Sequence, residues 1–209
     1  MWESFGEFFT TVPGKVTVVM AALAVVALFG LAMRKRPVFT VRSMTRTAIC
    51  VGLSVVLSFV TLFHMPQGGS VTLCSMFFIT LTGYWFGPAV GIIAGVTRGF
   101  LDLAFKPYVV HPAQLALDYL FAFGILGISG FFRNQKFGLY TGFIAGVFGR
   151  FVMSTLSGIV FFAAYAGEQN VLIYSVAYNG SYMLAEMGIA LVLLAIPAFR
   201  GALERMKTS

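Results

Sequence analysis

A single carboxylate, Asp118, stands in the middle of the apolar run "YVVHPAQLALDYLFAFG", Tyr108 to Gly124. Gln114 precedes it by four residues, so an amide and a carboxylate share one helix face. Tyr119 follows directly, and Tyr108 stands ten residues before. Pro112 marks the helix start, which sets Asp118 roughly 9 Å deep at 1.5 Å per residue. A carboxylate at that depth in lipid costs on the order of 2.5–3.5 kcal/mol unless it is paired or solvated. A carboxylate, an amide and two phenols at one depth suit a small polar ligand with a cationic or hydrogen-bond-donating part. The competing assignment is an internal ion pair with Arg150, but that residue falls nearer the inner half of its own segment, a poor match in depth.

A second polar group comes from "YAGEQNVLIYSVAYNGSY", which delivers Tyr174, Tyr178, Asn179 and Tyr182 to the start of the last apolar segment. The other reactive side chains form no constellation. His64 and His111 have no third ligand at metal spacing. Ser75, Ser154 and Ser157 have no His or Asp partner at a shared depth, so no nucleophilic catalysis is expected. No GxxxxGK[ST] phosphate loop occurs, and any ATP chemistry must come from partners. The chain is therefore read as a non-enzyme with no catalytic residue, metal or cofactor. Arg98 and Asp102 are spaced for an i, i+4 pair. Glu186 is expected to pair with a neighbour or to help close a pocket floor, and Tyr84 and Trp85 to anchor the inner interface.

These residues must be positioned by membrane helices. Of the 209 residues, 59% are hydrophobic, 16% aromatic and only 10% charged, against about 25% charged in soluble domains. Mean hydropathy is +0.91. Too little polar material is present to cover a water-facing surface, so the class is an all-α integral membrane protein. Seven apolar segments are predicted, at about 15–33, 43–63, 72–86, 89–105, 112–132, 138–165 and 172–199. The first is followed, not preceded, by its basic cluster, which predicts a retained helix and not a cleaved signal.

The net charge of +7 gathers in short connections and reports topology, not a nucleic-acid partner. Arg34, Lys35, Arg36, Arg42 and Arg46, then Arg133 and Lys136, then Arg200, Arg205 and Lys207 all fall on one side of an alternating seven-pass chain. The connections of the opposite side hold only Lys106. The amino terminus is thereby predicted outside and the carboxyl terminus in the cytoplasm. Cys50 and Cys74 fall at opposite ends of successive helices, unsuited to a disulfide. Outer connections gather Pro66, Gly68 and Gly69 in a sharply folded loop, together with the polar groups above.

With these pieces in place, four blocks resemble the thiamine-specific substrate-binding (S) components of energy-coupling factor (ECF) transporters: "HMPQGGSVTLCSM", "GYWFGPAVGIIAGVTRGFLDL", "PYVVHPAQLALDYLFAFGILGISG" and "YSVAYNGSYMLAE". With the sixth segment they span about residues 43–195. The resemblance implies a six-helix bundle that captures a vitamin from outside the plasma membrane of a prokaryote. It also implies a membrane-embedded coupling subunit and two ATP-binding subunits as partners, and a bundle that topples to release its cargo. On this pattern residues 1–36 form an extra transmembrane helix and residues 37–209 the vitamin-binding domain.

The family's binding pattern falls on Tyr108, Asp118, Tyr119, Gly158, Tyr174 and Asn179. An aminopyrimidine offers groups that a carboxylate and an amide satisfy, and a thiazolium favours aromatic faces and negative charge. Two positions depart. Some members have His and Trp four residues either side of the pocket glycine, where this chain has Ser154 and Phe162. Thiamine is the favoured ligand, with a related pyrimidine or thiazole compound as the alternative. Ala48 and Gly52, a small-xxx-small pair on the second segment, fit a close helix approach, and the resemblance implies docking on the coupling subunit there; packing inside the bundle is the alternative. A separate functional reading is an autonomous ion-coupled transporter using Asp118 and Asp102.

Overall fold

The computed structural model describes residues 39–208, together with Ala27 and Gly30. Apart from these two residues, the predicted first helix, and with it the proposed 1–36 unit, lies outside the described residues.

Helix α1, Val41–Phe59, starts with a capping box. The Thr40 hydroxyl accepts from Ser43 N–H at 3.1 Å and the Ser43 hydroxyl from Thr40 N–H at 3.0 Å, which satisfies two free donors of the first turn. Its buried stripe is Ser43, Cys50, Val51, Ser54 and Ser58. Ala48 and Gly52 lie on the other face and are exposed, and a Cβ on Gly52 would meet nothing within 4 Å. Packing of this pair inside the described bundle is thus excluded.

The chain then departs from the expected helix. Strands β1, Thr61–His64, and β2, Ser70–Thr72, form an antiparallel hairpin in the register Thr61↔Thr72, Phe63↔Val71 and His64↔Ser70. Thr61 and Phe63 favour extended backbone, and Gly68, at φ +88°, makes the turn that Pro66 begins. The rest of the described architecture is helical.

Helix α2, Ser75–Phe86, has 12 residues and is buried on nearly every side. At 1.5 Å per residue it is about 18 Å long, short of a ~30 Å hydrocarbon core. Gly87, at φ +99°, and Pro88 at the first helical position turn the chain into α3, Pro88–Phe105. The next span, α4, Pro112–Phe132, changes its winding along its length. An α-turn over Pro112–Leu115 leads to a π-turn over Ala116–Phe121, an α-turn over Ala122–Gly124 and a 3₁₀ stretch over Ile125–Phe132. Helix α5 covers Gly138–Phe161 and α6 covers Val171–Ala195, the latter capped by Asn170, whose Oδ1 accepts from Leu172 and Ile173 N–H. Pro197 interrupts the last predicted segment and starts α7, Pro197–Thr208.

Five described helices, α1, α3, α4, α5 and α6, are long and apolar enough to cross a membrane. The sequence assigned six such segments to residues 43–199; the difference is the predicted 72–86 segment, which gives up Thr72 to the hairpin and starts its helix, α2, only at Ser75. Large apolar side chains such as Val56, Phe148 and Val192 face outward, while Arg98, Gln114 and Glu186 are almost fully buried. This inversion of the water-soluble pattern is the mark of a lipid-facing bundle. Tyr84 and Trp85, expected as interface anchors, are buried within the protein: Trp85 Nε1 donates to the Leu203 carbonyl at 3.0 Å, holding α7 across the end of the bundle.

Glycines set the spacing that matters for the site. Gly91, Gly95 and Gly99 on α3 face α4, and Cβ atoms there would fall 2.7 Å from Gly127 Cα, 2.2 Å from the Phe123 oxygen and 1.8 Å from the Tyr119 oxygen. The two backbones touch, as small-residue packing in membranes allows. Glu186 fixes a second junction. Its carboxylate accepts from Thr72 N–H (3.3 Å), Thr72 Oγ1 (2.5 Å), Ser75 Oγ (3.0 Å) and Met76 N–H (2.9 Å). It joins α6 to the N-terminus of α2, where an anionic group is favoured. Glu186→Ala removes the acceptor of four buried donors; the Thr72 and Ser75 hydroxyls, 2.7 Å apart, can still satisfy one of their two donors between themselves, and the three left cost about 1–3 kcal/mol each when unsatisfied. Thermal unfolding in detergent is expected to show at least about 3 kcal/mol of lost stability; an unchanged midpoint would refute the clamp.

Candidate functional site

The π-turn is the local feature that presents Asp118. A turn of this kind widens the helix and is frequent at functional sites. Gln114 Nε2 donates to Asp118 Oδ2 at 2.7 Å, and Ser157 Oγ on α5 donates to the same oxygen at 2.8 Å. Oδ1 accepts no hydrogen bond among the described residues.

Asp118 lines a cavity between α4, α5 and α6, of about 140 Å³. Its wall includes all nine residues expected at the site: Tyr108, Gln114, Asp118, Tyr119, Ser154, Gly158, Phe162, Tyr174 and Asn179. A second lobe of about 350 Å³ adjoins it, sharing Asp102, Tyr108, Arg150 and Tyr182 with the first and reaching Thr72, Arg98, Lys106 and Glu186.

Several of these residues hold one another in place. Gln114 is 1% exposed; its Nε2 also donates to the Tyr108 carbonyl at 3.1 Å, and its Oε1 accepts from Val110 N–H at 3.2 Å. The Tyr119 hydroxyl accepts from Tyr108 N–H at 2.8 Å and donates to the Lys106 carbonyl at 3.1 Å. Both side chains therefore brace the loop that carries Tyr108. Asn179 donates through Nδ2 to the carbonyls of Ser175 (2.9 Å) and Ser154 (3.3 Å), and its Oδ1 accepts from the Tyr182 hydroxyl at 2.9 Å. One lone pair of that oxygen remains for an incoming donor.

Aromatic rings make two walls. Tyr108 and Phe162 stack with centroids 5.9 Å apart and planes at 16°, with Tyr165 beside them, its hydroxyl 3.3 Å from that of Tyr108. Tyr174, Tyr178 and Tyr182 form a column along α6, at centroid spacings of 6.0 and 5.9 Å. The hairpin tip closes over this column: Tyr178 donates to the Pro66 carbonyl and accepts from Gly69 N–H at 2.9 Å.

The charges resolve the ion-pair question. Arg98 pairs with Asp102 at 2.8 Å and donates through Nε to Ser54 Oγ, which is the i, i+4 pair expected from their spacing. Arg150 lines the cavity with Asp118 but forms no ion pair with it. Its guanidinium lies over the Phe123 ring, 4.0 Å from the centroid, and its Nε has no hydrogen-bond partner among the described residues. The expected absence of an Asp118–Arg150 ion pair holds, but not for the reason of depth: Arg150 reaches the same cavity and stacks on Phe123 instead. Ser157, expected to have no acidic partner, bonds Asp118. Tyr178 and Tyr182 form an i, i+4, i+8 series with Tyr174 in the sequence. Arg150 stands out in the sequence as a charge in an apolar segment, whereas Ser157 and Ser175 carry no such signal, since only helix pairing brings them to the wall.

A lipid-facing bundle around an aromatic cavity with one half-satisfied carboxylate defines a membrane protein built to hold a small polar molecule. The family described as Thiamine transporter protein (Thia_YuaJ) matches residues 44–203. The chain is similar to the thiamine transporter ThiT of Bacillus subtilis, at 33% identity over 71% of this chain and 86% of that one. It is also similar to ThiT of Lacticaseibacillus paracasei, at 29% over 49% and 60%. A solved structure of ThiT from Listeria monocytogenes shares the fold, with a TM-score of 0.63 at 24% identity, covering 75% of this chain and 96% of that one. The chain belongs to the ThiT thiamine transporter family, whose members are homologous to ECF S components, and it is a transport protein and not an enzyme.

Proposed function

We propose that this chain captures thiamine, or a closely related pyrimidine or thiazole compound, at the outer face of a prokaryotic plasma membrane. It delivers the ligand inward with a separate module of one membrane-embedded coupling subunit and two ATP-binding subunits. The observation that carries the reading is Asp118 Oδ1, an acceptor with no hydrogen-bond partner among the described residues, on the wall of an aromatic cavity. It suits the amino group of a pyrimidine or the field of a thiazolium, and the flanking rings suit flat cationic surfaces. The exposed Ala48 and Gly52 on α1 support docking there, since a small-residue face permits close approach by a partner helix. The basic clusters support a cytoplasmic carboxyl terminus.

The reading of an autonomous ion-coupled carrier is weakened by Asp102, which is tied to Arg98. Calorimetric titration of the purified protein with thiamine, with no nucleotide present, is expected to give saturable one-to-one binding. Reconstituted alone in liposomes under a proton or sodium gradient, the protein is expected to accumulate no thiamine. Gradient-driven uptake without partner subunits would overturn the proposal.

A further inference from the structure

We propose that Ser175 is a specificity-determining residue that donates a hydrogen bond to an acceptor ring nitrogen at the pyrimidine end of the ligand. The inference rests on the ligand class proposed above. Ser175 lines the cavity from α6 and is 2% exposed, yet its hydroxyl has no hydrogen-bond partner among the described residues. On the same wall Ser157 is satisfied by Asp118, Asn179 by two carbonyls and Tyr182, and Tyr182 by Asn179, while Arg150 Nε, also without a hydrogen-bond partner among the described residues, belongs to a guanidinium stacked over Phe123. The Ser175 carbonyl is itself in use, accepting from Asn179. Buried polar atoms are nearly always paired, so a lone hydroxyl on a cavity wall marks a place where the partner arrives from outside the chain.

The geometry gives that partner its chemistry. Two successive residues of α5 face different neighbours. Ser157 bonds Asp118 at 2.8 Å, while a Cβ on Gly158 would lie 2.8 Å from Ser175 Oγ and 3.1 Å from Ser175 Cβ. The Ser175 hydroxyl thus fits on the cavity wall because Gly158 has no side chain, with the α5 backbone between it and the carboxylate acceptor on α4. A flat ring held in the cavity between Asp118 and Ser175 meets an acceptor along one edge and a donor along the other. An aminopyrimidine, with an exocyclic amino donor on one edge and a ring nitrogen acceptor on the opposite edge, matches that order; a thiazole, with no amino donor, does not.

The test uses the purified full-length chain and two variants, Ser175→Ala and Ser175→Cys, titrated with thiamine. Its aminopyrimidine and thiazole halves are measured by displacement of thiamine. In Ser175→Ala the Kd for thiamine and for the aminopyrimidine half is expected to rise roughly five- to tenfold, the range for one neutral hydrogen bond. The thiazole half keeps its Kd. The ligand-free thermal midpoint stays equal to wild type or rises, because the hydroxyl removed has no hydrogen-bond partner among the described residues. Ser175→Cys, with similar volume and a weaker donor, falls between the two. Wild-type affinity in Ser175→Ala, equal losses for both halves, or a midpoint that falls in step with affinity would each overturn the assignment while leaving the thiamine-binding proposal standing. A wild-type protein that binds none of the three ligands would overturn both.

Discussion

Alanine in place of Asp118 is expected to raise the Kd for thiamine at least tenfold while leaving the protein folded. A hydrogen bond to an ionised group contributes about 1.5–3 kcal/mol, and each 1.4 kcal/mol is about a factor of ten in affinity. Stability should not fall in parallel. Asp118 has no ion-pair partner among the described residues, and holding an unpaired carboxylate within the membrane span is itself unfavourable. Gln114 keeps its bond to the Tyr108 carbonyl in the variant, so the loop bearing Tyr108 stays braced. Asp118→Asn separates shape from charge: it retains an acceptor but not the negative field, and an intermediate Kd is expected. Calorimetry on both variants beside thermal unfolding checks the pattern. An alanine variant that binds like wild type would remove the carboxylate from the site.

The second large effect is expected far from any ligand contact. Gly99→Ala puts a methyl group 1.8 Å from the carbonyl oxygen of Tyr119, a backbone atom with no rotamer to escape into. The helices α3 and α4 must move apart at the π-turn, so the substitution acts on Asp118 and Tyr119 through their backbone. Overpacking of this kind costs typically 1–3 kcal/mol and more where the neighbour is rigid. We expect about 3 kcal/mol of lost stability and at least a tenfold rise in Kd in whatever fraction stays folded. The control is Gly52→Ala, where a Cβ meets nothing within 4 Å; its binding and midpoint should match wild type. A Gly99→Ala protein with both values intact would show that α3 and α4 do not meet there.

Much of this site is legible in the chain. Asp118 draws attention because a charge inside an apolar run is unfavourable without a purpose, and Gln114 follows from helical periodicity. Tyr174 and Asn179 stand out as polar and aromatic residues entering the last span together. Those signals are local, so they survive folding; Ser154, Gly158 and Phe162 come only from the family resemblance, and all nine residues line one cavity. What each does there is less legible. Gln114 and Tyr119, read from the sequence as ligand-facing, line the cavity and also hold the 106–110 loop, which no local signal records. Glu186, an ambiguous acid in the sequence, is the acceptor for four donors from residues 72–76.

The sequence by itself determined the lipid-facing class, most of the spans and the depth of the acid, because hydropathy, charge placement and i, i+4 spacing are properties of contiguous residues. The tertiary structure alone decided which helices meet. It set Ser157 on Asp118, Ser175 against Gly158 and Arg150 over Phe123, and it folded residues 61–72 into a hairpin that closes on Tyr178. Those contacts join residues far apart in the chain, and no periodicity within one segment records the rotation of a neighbouring helix about its own axis.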